Sequence, residues 1–227
     1  MPARHDVVVD LAAGTGLLSR VLARAADRVV AVELDERMAA VLRKRSPDVH
    51  VVQGRGEALP LAGASVDAVL ISSAWHWLDP ILAVPELGRV LRPGGRLGVL
   101  RTGADRSATW LHDMRKARGD DADPLSSQSG SRQSGWRQVQ LPEGHLFECV
   151  TTSSFGFTRT MSVDDFVDML ATYSAIITAS ERERAAELAG ARAELDRRFP
   201  GARHIDVPMR TQCWRADRAG GVPPKVA

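Results

Sequence analysis

The stretch Val9-Asp10-Leu11-Ala12-Ala13-Gly14-Thr15-Gly16 decides how this chain is read. It continues the apolar residues Val7 and Val8, so a strand runs into an acid and then into a turn of small side chains. From Leu17 the spacing becomes helical. A turn without bulky side chains lets the backbone approach a ligand closely. A second apolar run, Val29 to Val32, ends at Glu33. An acid at that place is positioned to accept hydrogen bonds from two ribose hydroxyls. The pattern suits a nucleoside cofactor. The run from Gly14 reads Gly-Thr-Gly-Leu-Leu-Ser, with Ser19 at the third small position, so a dinucleotide also stays open at this point.

Outward from that turn the first half alternates strands and helices. Strands are expected over residues 6–10, 29–33, 49–53, 66–71 and 97–101. Their continuous apolar runs imply burial on both faces, as in a parallel sheet. The helix after the first strand presents Leu17, Leu18, Val21, Leu22 and Ala25 on one face. Asp35 can cap the next, whose apolar face is Met38, Val41 and Leu42. A further helix lies between Asp79 and Leu91 with Ile81, Val84, Leu87 and Leu91 inward. Pro85 should kink it or mark its true start. Arg92-Pro93-Gly94-Gly95 is a structural stop and turn. Residues 110–118 read as helical.

Residues 119–135 carry almost no apolar side chains and read as a flexible loop. The second half differs. A strand rich in Thr, Val, Phe and Cys spans 147–157, and Ser162 and Ser180 each open a helix in capping-box fashion. A last strand runs from Ile205 to Trp214. The sum is five β-α units, then two strands separated by a helical insertion. The expected fold is α/β: a Rossmann-like, seven-stranded, mostly parallel sheet with an antiparallel last strand and helices on both faces. Residues 1–118 form the cofactor-binding core, 119–135 the loop, and 136–227 the closing part of the same domain.

Composition sets the broad class. The chain has 227 residues, 44% hydrophobic and 26% charged, which permits one sizeable core. The net charge of +2 comes from interspersed acids and arginines, with no basic stripe of the kind a nucleic acid needs. The first residues have no apolar leader, and no apolar run approaches the ~20 residues of a membrane span. A cytoplasmic protein without nucleic-acid or membrane partners is expected; the residues leave a homo-oligomer open. Cys149 and Cys213 fall in strands expected to be neighbours, and buried free thiols are the favoured reading. No Cys/His cluster has metal-ligand spacing, so no metal is expected.

Three further segments accompany the first turn: Gly54-Arg55-Gly56-Glu57-Ala58-Leu59-Pro60, Ser65-Val66-Asp67-Ala68-Val69, and Leu91-Arg92-Pro93-Gly94-Gly95-Arg96-Leu97. In this order the chain resembles class I S-adenosylmethionine-dependent methyltransferases of the type 11 group. Ala74-Trp75-His76-Trp77-Leu78-Asp79-Pro80 resembles a bacterial and fungal subgroup acting on small molecules. The resemblance implies S-adenosyl-L-methionine as cofactor. It implies that Asp10 to Gly16 (Asp10, Ala12, Gly14 and Gly16 foremost) hold the methionine and ribose portions. Glu33 would take the ribose hydroxyls, Leu34 would lie beside the adenine, and Gly56 and Glu57 would border it. Ser72 and Ser73 would face the methionine end, with His76 and Trp77 at the substrate side. Glu33 could instead cap the following helix, and the tryptophans could be packing residues.

Three departures from the family pattern stand out. Ala12 replaces a glycine, and its methyl narrows the approach to the cofactor. Arg55 occupies a place near the adenine amine and cannot accept its hydrogen bond. The first strand begins close to residue 1, where relatives usually carry helices that close over the site, so a pocket that is more open, or filled by a partner subunit or the 119–135 loop, is expected.

Methyl transfer from a sulfonium needs chiefly alignment of the acceptor and exclusion of water. A base matters only for a hydroxyl or protonated amine; His76 is the candidate. A carboxylate acceptor would favour a cation such as Arg101. The leading reading is a methyltransferase acting on a small-molecule oxygen, nitrogen or carboxylate. The alternative is a cofactor-binding protein whose activity is lost or depends on a partner; a nicotinamide dehydrogenase is the third.

Overall fold

The computed structural model describes residues 7–105, 107–111 and 139–220. The loop expected at 119–135, and residues 112–118 of the helix expected at 110–118, lie outside them. In chain order the elements are β1 (Val7–Leu11), α1 (Leu17–Leu22), β2 (Arg28–Glu33), α2 (Glu36–Arg45), β3 (His50–Gln53), β4 (Val66–Ser72), a 3-10 turn (Trp75–Trp77), α3 (Pro80–Val90) and β5 (Leu91–Ala104). Then come β6 (Phe147–Ser162), α4 (Val163–Ala171), α5 (Ser174–Ile177), α6 (Glu181–Arg198) and β7 (His204–Arg218).

The seven strands form one sheet in the order β3-β2-β1-β4-β5-β7-β6. The first five are parallel, with Val9 beside Val30 and Val69. The last strand in the chain, β7, runs the other way. Arg96 pairs with Asp217, Thr102 with Thr211, and the Asp105 N–H donates to the Pro208 carbonyl, so β5 and β7 are antiparallel. Thr160 bonds Asp206 while the Ala219 N–H donates to the Leu146 carbonyl, so β6 also opposes β7. The expected sheet is the observed one.

Several local expectations are corrected. Of the α1 face, Leu17 is 74% exposed and Val21 60%, while Ser19 is fully buried. On α2 the inward residues are Ala39 and Leu42, and Met38 and Val41 face out. Ile81 also faces out, whereas Val84, Leu87 and Leu91 are core. The connection from β3 to β4 carries no helix, so it is not a β-α unit. α3 begins at Pro80 and runs through Pro85. Pro80 occupies the first turn, where no N–H is required. Pro85 removes one helical bond, to the carbonyl of the exposed Ile81, which water can satisfy. Cys149 and Cys213 are free, but Cys149 is exposed on edge strand β6 and only Cys213 is half-buried.

Arg92 to Gly95 form part of β5 as a bulge: Val66 opposes Leu91, yet Ala68 already opposes Arg96. A Cβ on Gly95 would lie 2.8 Å from the Arg92 carbonyl oxygen and 3.1 Å from that of Asp67. Asp67 itself accepts from the Val7 N–H (2.9 Å) and from Arg92 (2.7 Å). Those two sequence motifs thus lock the entry of β4 against β1 and β5.

The chain packs as two compact units. Of the described residues, the first comprises 7–102, 139–154 and 211–220, with a core that includes Val9, Leu11, Val32, Val69, Ile71, Leu87 and Leu97. Of the described residues, the second comprises 103–105, 107–111 and 155–210. Its core centres on Phe166, Leu195 and Val207. Trp110 sits edge-on to Phe199 at 5.4 Å and tilted against Phe166 at 5.9 Å. Among the described residues no helix is long and apolar enough to cross a membrane.

Candidate functional site

β1 is where the strand order reverses: β2 and β3 lie to one side, β4 and β5 to the other. In open α/β sheets ligands sit beyond the carboxyl ends of the strands at such a point. Leu11 is in register with Val32 and Ile71, so Glu33 and Ser72 each stand one residue further along, level with the turn that starts at Ala12.

The turn is built on left-handed backbone at Ala12 (φ 55°), Gly14 (57°) and Gly16 (81°). A Cβ on Gly16 would fall 2.7 Å from Leu42 Cγ, so this glycine also lets α1 start against α2. Among the described residues, a Cβ on Gly14 would meet only Met38 Sδ, at 3.9 Å. Ala12 adopts the conformation for which a glycine is usual and carries roughly 1 kcal/mol of strain for it.

Glu33 is 7% exposed. One carboxylate oxygen accepts the Gly14 N–H at 2.7 Å and the other the Asp35 N–H at 2.8 Å. Asp35 in turn accepts the Arg37 N–H and caps α2. An ionised carboxylate has about four acceptor positions. Two are used, and two remain. Glu33 thus braces both the turn and the helix entry.

Asp10 is buried beneath α1, where the Ser19 hydroxyl donates to it at 2.6 Å. Its pKa is pushed up to about 6, first by burial; the Ser19 hydrogen bonds oppose this and the negative Glu33 adds to it. Leu34 is 64% exposed directly after Glu33. The Gln53 amide donates to its carbonyl at 3.3 Å.

On the next strand end, Ser72 is half-buried and Ser73 exposed. Ser73 is another non-glycine residue at positive φ (56°), and its N–H donates to Leu100. The Trp75–Trp77 turn follows. The exposed His76 ring lies 4.9 Å from that of Trp77, tilted by 39°. Gly56 is buried, and a Cβ there would sit 2.7 Å from Leu78 Cδ2. Glu57 accepts the Asp79 N–H at 3.1 Å and the Arg55 Nε–H at 3.3 Å. Burial raises the Glu57 pKa, but the Asp79 and Glu57 backbone N–H groups and Arg55 outweigh it and hold the carboxyl below its ordinary value.

Direct bonds thus unite Glu33 with the glycine turn, and Leu78 and Asp79 join Gly56 and Glu57 to the His76 segment. Ser72 and Ser73 share only the strand edge. Sequence reasoning missed Ser19 as the partner of Asp10 and Met38 beside Gly14. The nine-residue spacing of Asp10 and Ser19 on a strand–turn–helix could have suggested the first; nothing local signals the second. Among the described residues no three His, Cys, Asp or Glu side chains gather as metal ligands.

Residues 9–99 match the profile of the methyltransferase domain family. An uncharacterized methyltransferase of Mycobacterium tuberculosis is 36% identical over 222 residues, covering 96% of this chain and 86% of the relative. An uncharacterized methyltransferase-like protein of Schizosaccharomyces pombe is 31% identical over 183 residues, 79% of this chain and 68% of the other. Among solved structures, a candidate type II methyltransferase from Anaeromyxobacter dehalogenans superposes with a TM-score of 0.70 at 25% identity, over 96% of this chain and 91% of that one. Geranyl diphosphate methyltransferase shares the fold at a TM-score of 0.51 and 14% identity, over 96% and 80% of the two chains.

Proposed function

The chain belongs to the methyltransferase domain family of class I S-adenosylmethionine-dependent methyltransferases, and from that premise we propose that it binds S-adenosylmethionine at the carboxyl edge of β1, β2 and β4 and methylates a small-molecule acceptor. One observation carries the reading: the Glu33 carboxylate, fixed to the Gly14 N–H at 2.7 Å, keeps two acceptor positions for a ribose diol beside a glycine turn of bare backbone. Leu34, exposed next to it, offers an apolar face for a purine. Arg55 has no acceptor for the adenine amine, so backbone groups near Gly56 would read the base.

When bound, the cofactor supplies a methyl on a sulfonium, a leaving group already activated by its charge. The chain's own residues then orient and shield. Glu33 fixes the ribose, and the turn from Ala12 to Gly16 offers bare backbone to the remainder. Asp10, buried behind the turn, places negative charge near the cationic end once ionised above about pH 6. Ser72 and Ser73 supply hydroxyls at the methionine end. His76, propped against Trp77, stands on the acceptor side and can take a proton from a hydroxyl or ammonium acceptor.

A panel of small hydroxyl, amine and carboxylate acceptors, assayed for S-adenosylhomocysteine release, tests the reading. Wild-type protein is expected to turn over at least one acceptor. His76→Ala is expected to lose turnover on a hydroxyl or amine acceptor while cofactor affinity stays nearly constant. Tight cofactor binding with no product on any acceptor would contradict the catalytic part; equal loss of turnover and affinity in His76→Ala would make His76 structural.

A further inference from the structure

Glu57 reads from sequence as a border of the adenine, and in the structure its carboxylate is engaged by Asp79 and Arg55. Its side chain is only 12% exposed, and its oxygens accept the Asp79 N–H and the Arg55 Nε–H. Asp79 is the N-cap of α3: its own carboxylate accepts the Ile81 N–H at 2.9 Å. In a capping box the reciprocal bond, from the N-cap N–H, goes to a glutamate or glutamine three residues into the helix. Here that position is Leu82, which cannot accept. The missing half of the box comes instead from Glu57, on a different loop.

The loop and the helix meet at further points. Gly56 lies under Leu78 with no room for a Cβ. The Leu59 N–H donates to Glu86 at 2.7 Å, and Arg89 donates to the Leu59 carbonyl at 3.1 Å. Between Ser73 and Asp79 the chain makes one short turn, with Ala74 buried. Its 3-10 turn rests on the Trp77 N–H to Ala74 and the Leu78 N–H to Trp75 bonds, at 3.0 and 3.1 Å. A single 3-10 turn has poor bond geometry and little stability of its own. His76 and Trp77 are exposed upon it. β4 stands at its upstream end, and Leu78 with Asp79, where the loop meets it, at its downstream end.

We propose that Glu57 is a positioning residue for the acceptor side, holding the Trp75–Trp77 turn to the loop that would border the adenine so that occupation of that loop places His76 and Trp77. The proposal rests on the S-adenosylmethionine reading above and deepens it. Glu57 touches no reacting atom; it acts through the Asp79 N–H.

The test uses S-adenosylhomocysteine as probe, with binding heat and Trp77 emission followed on the full chain; a Trp77→Phe protein identifies which part of the emission belongs to Trp77. In wild type the Trp77 emission is expected to change with the same saturation as the heat. Glu57→Ala is expected to bind the probe within about tenfold of wild type, the scale of one hydrogen bond, and to lose most of the Trp77 response. Leu82→Glu added to Glu57→Ala supplies a local capping box. It is expected to restore the melting temperature but not the Trp77 response. Recovery of both by Leu82→Glu would make Glu57 a helix cap only and overturn the proposal, as would a full response in Glu57→Ala or a silent Trp77 in wild type that binds the probe. Absence of heat in wild type would strike the cofactor reading itself, and the proposal with it.

Discussion

Asp10 at the end of β1 and Asp105 just past β5 are both withdrawn from water, at 1% and 9% exposure, yet they ionise in opposite senses. Burial drives the Asp10 pKa up to about 6; the Ser19 hydrogen bonds offset this in part and Glu33 adds to it. Asp105 is held down to about 2, above all by the Arg210 guanidinium, which meets one carboxylate oxygen at 2.6 and 3.0 Å. The Ser107 N–H and hydroxyl take the other oxygen. In the second unit a buried charge has its counter-ion. At the glycine turn of the first unit a buried charge is kept without one among the described residues. A local rule broken at that cost is expected where a ligand completes the environment.

The largest effect should come from Asp10→Asn. The folded state holds this proton more tightly than the unfolded chain, so stability falls as pH rises from about 4 through about 6. Above that range the whole penalty is present, on the order of 3 kcal/mol. The replacement amide is neutral and can still accept from Ser19. Denaturant unfolding at pH 7 should show the variant more stable by up to about 3 kcal/mol, with little difference near pH 4. Its cofactor affinity at pH 7.5 should fall about tenfold, a trade of function for stability. If stability does not rise at pH 7, the contrast with Asp105 collapses.

Glu33→Ala comes next. It removes the diol acceptor and the brace on Gly14, and calorimetry should show affinity for S-adenosylhomocysteine lower by roughly 100-fold, about 2.7 kcal/mol. Asp105→Asn sharpens the other side of the contrast. The native Asp105 contribution is complete above its unfolded value and is lost as pH falls through about 2. The variant should be less stable at pH 7 by about 1–2 kcal/mol, with cofactor affinity unchanged. The smallest effect is assigned to Ala12→Gly, which relieves a left-handed alanine and should raise stability by about 0.5–1 kcal/mol in the same unfolding assay.

Glu33 and the glycine turn were legible from the chain because their placement is local. A strand of apolar residues must end, and the register of parallel neighbours brings successive ends level. The face of α1 was not legible. Its apolar spacing favours Leu17 and Val21, yet the helix has only six residues and enters straight from Gly16 at φ 81°. The turn, not the spacing, decides which side points inward, and it turns Ser19 onto Asp10. The role of Glu57 was hidden for a different reason. Its partner N–H lies 22 residues away, across a loop and a strand, and no periodicity records such a bond. The closing strands were recognised by composition but drawn short, because exposed Thr and Ser along β6 give no apolar edge by which to see its end at Ser162.

Thermal unfolding of the wild-type chain with and without S-adenosylmethionine tests the central claim most directly. A ligand at 100 times its dissociation constant should stabilise the protein by about 2.7 kcal/mol, so the melting temperature should rise with cofactor concentration and stay fixed with NAD. A melting temperature that ignores saturating S-adenosylmethionine, or one that climbs with NAD instead, would contradict the account.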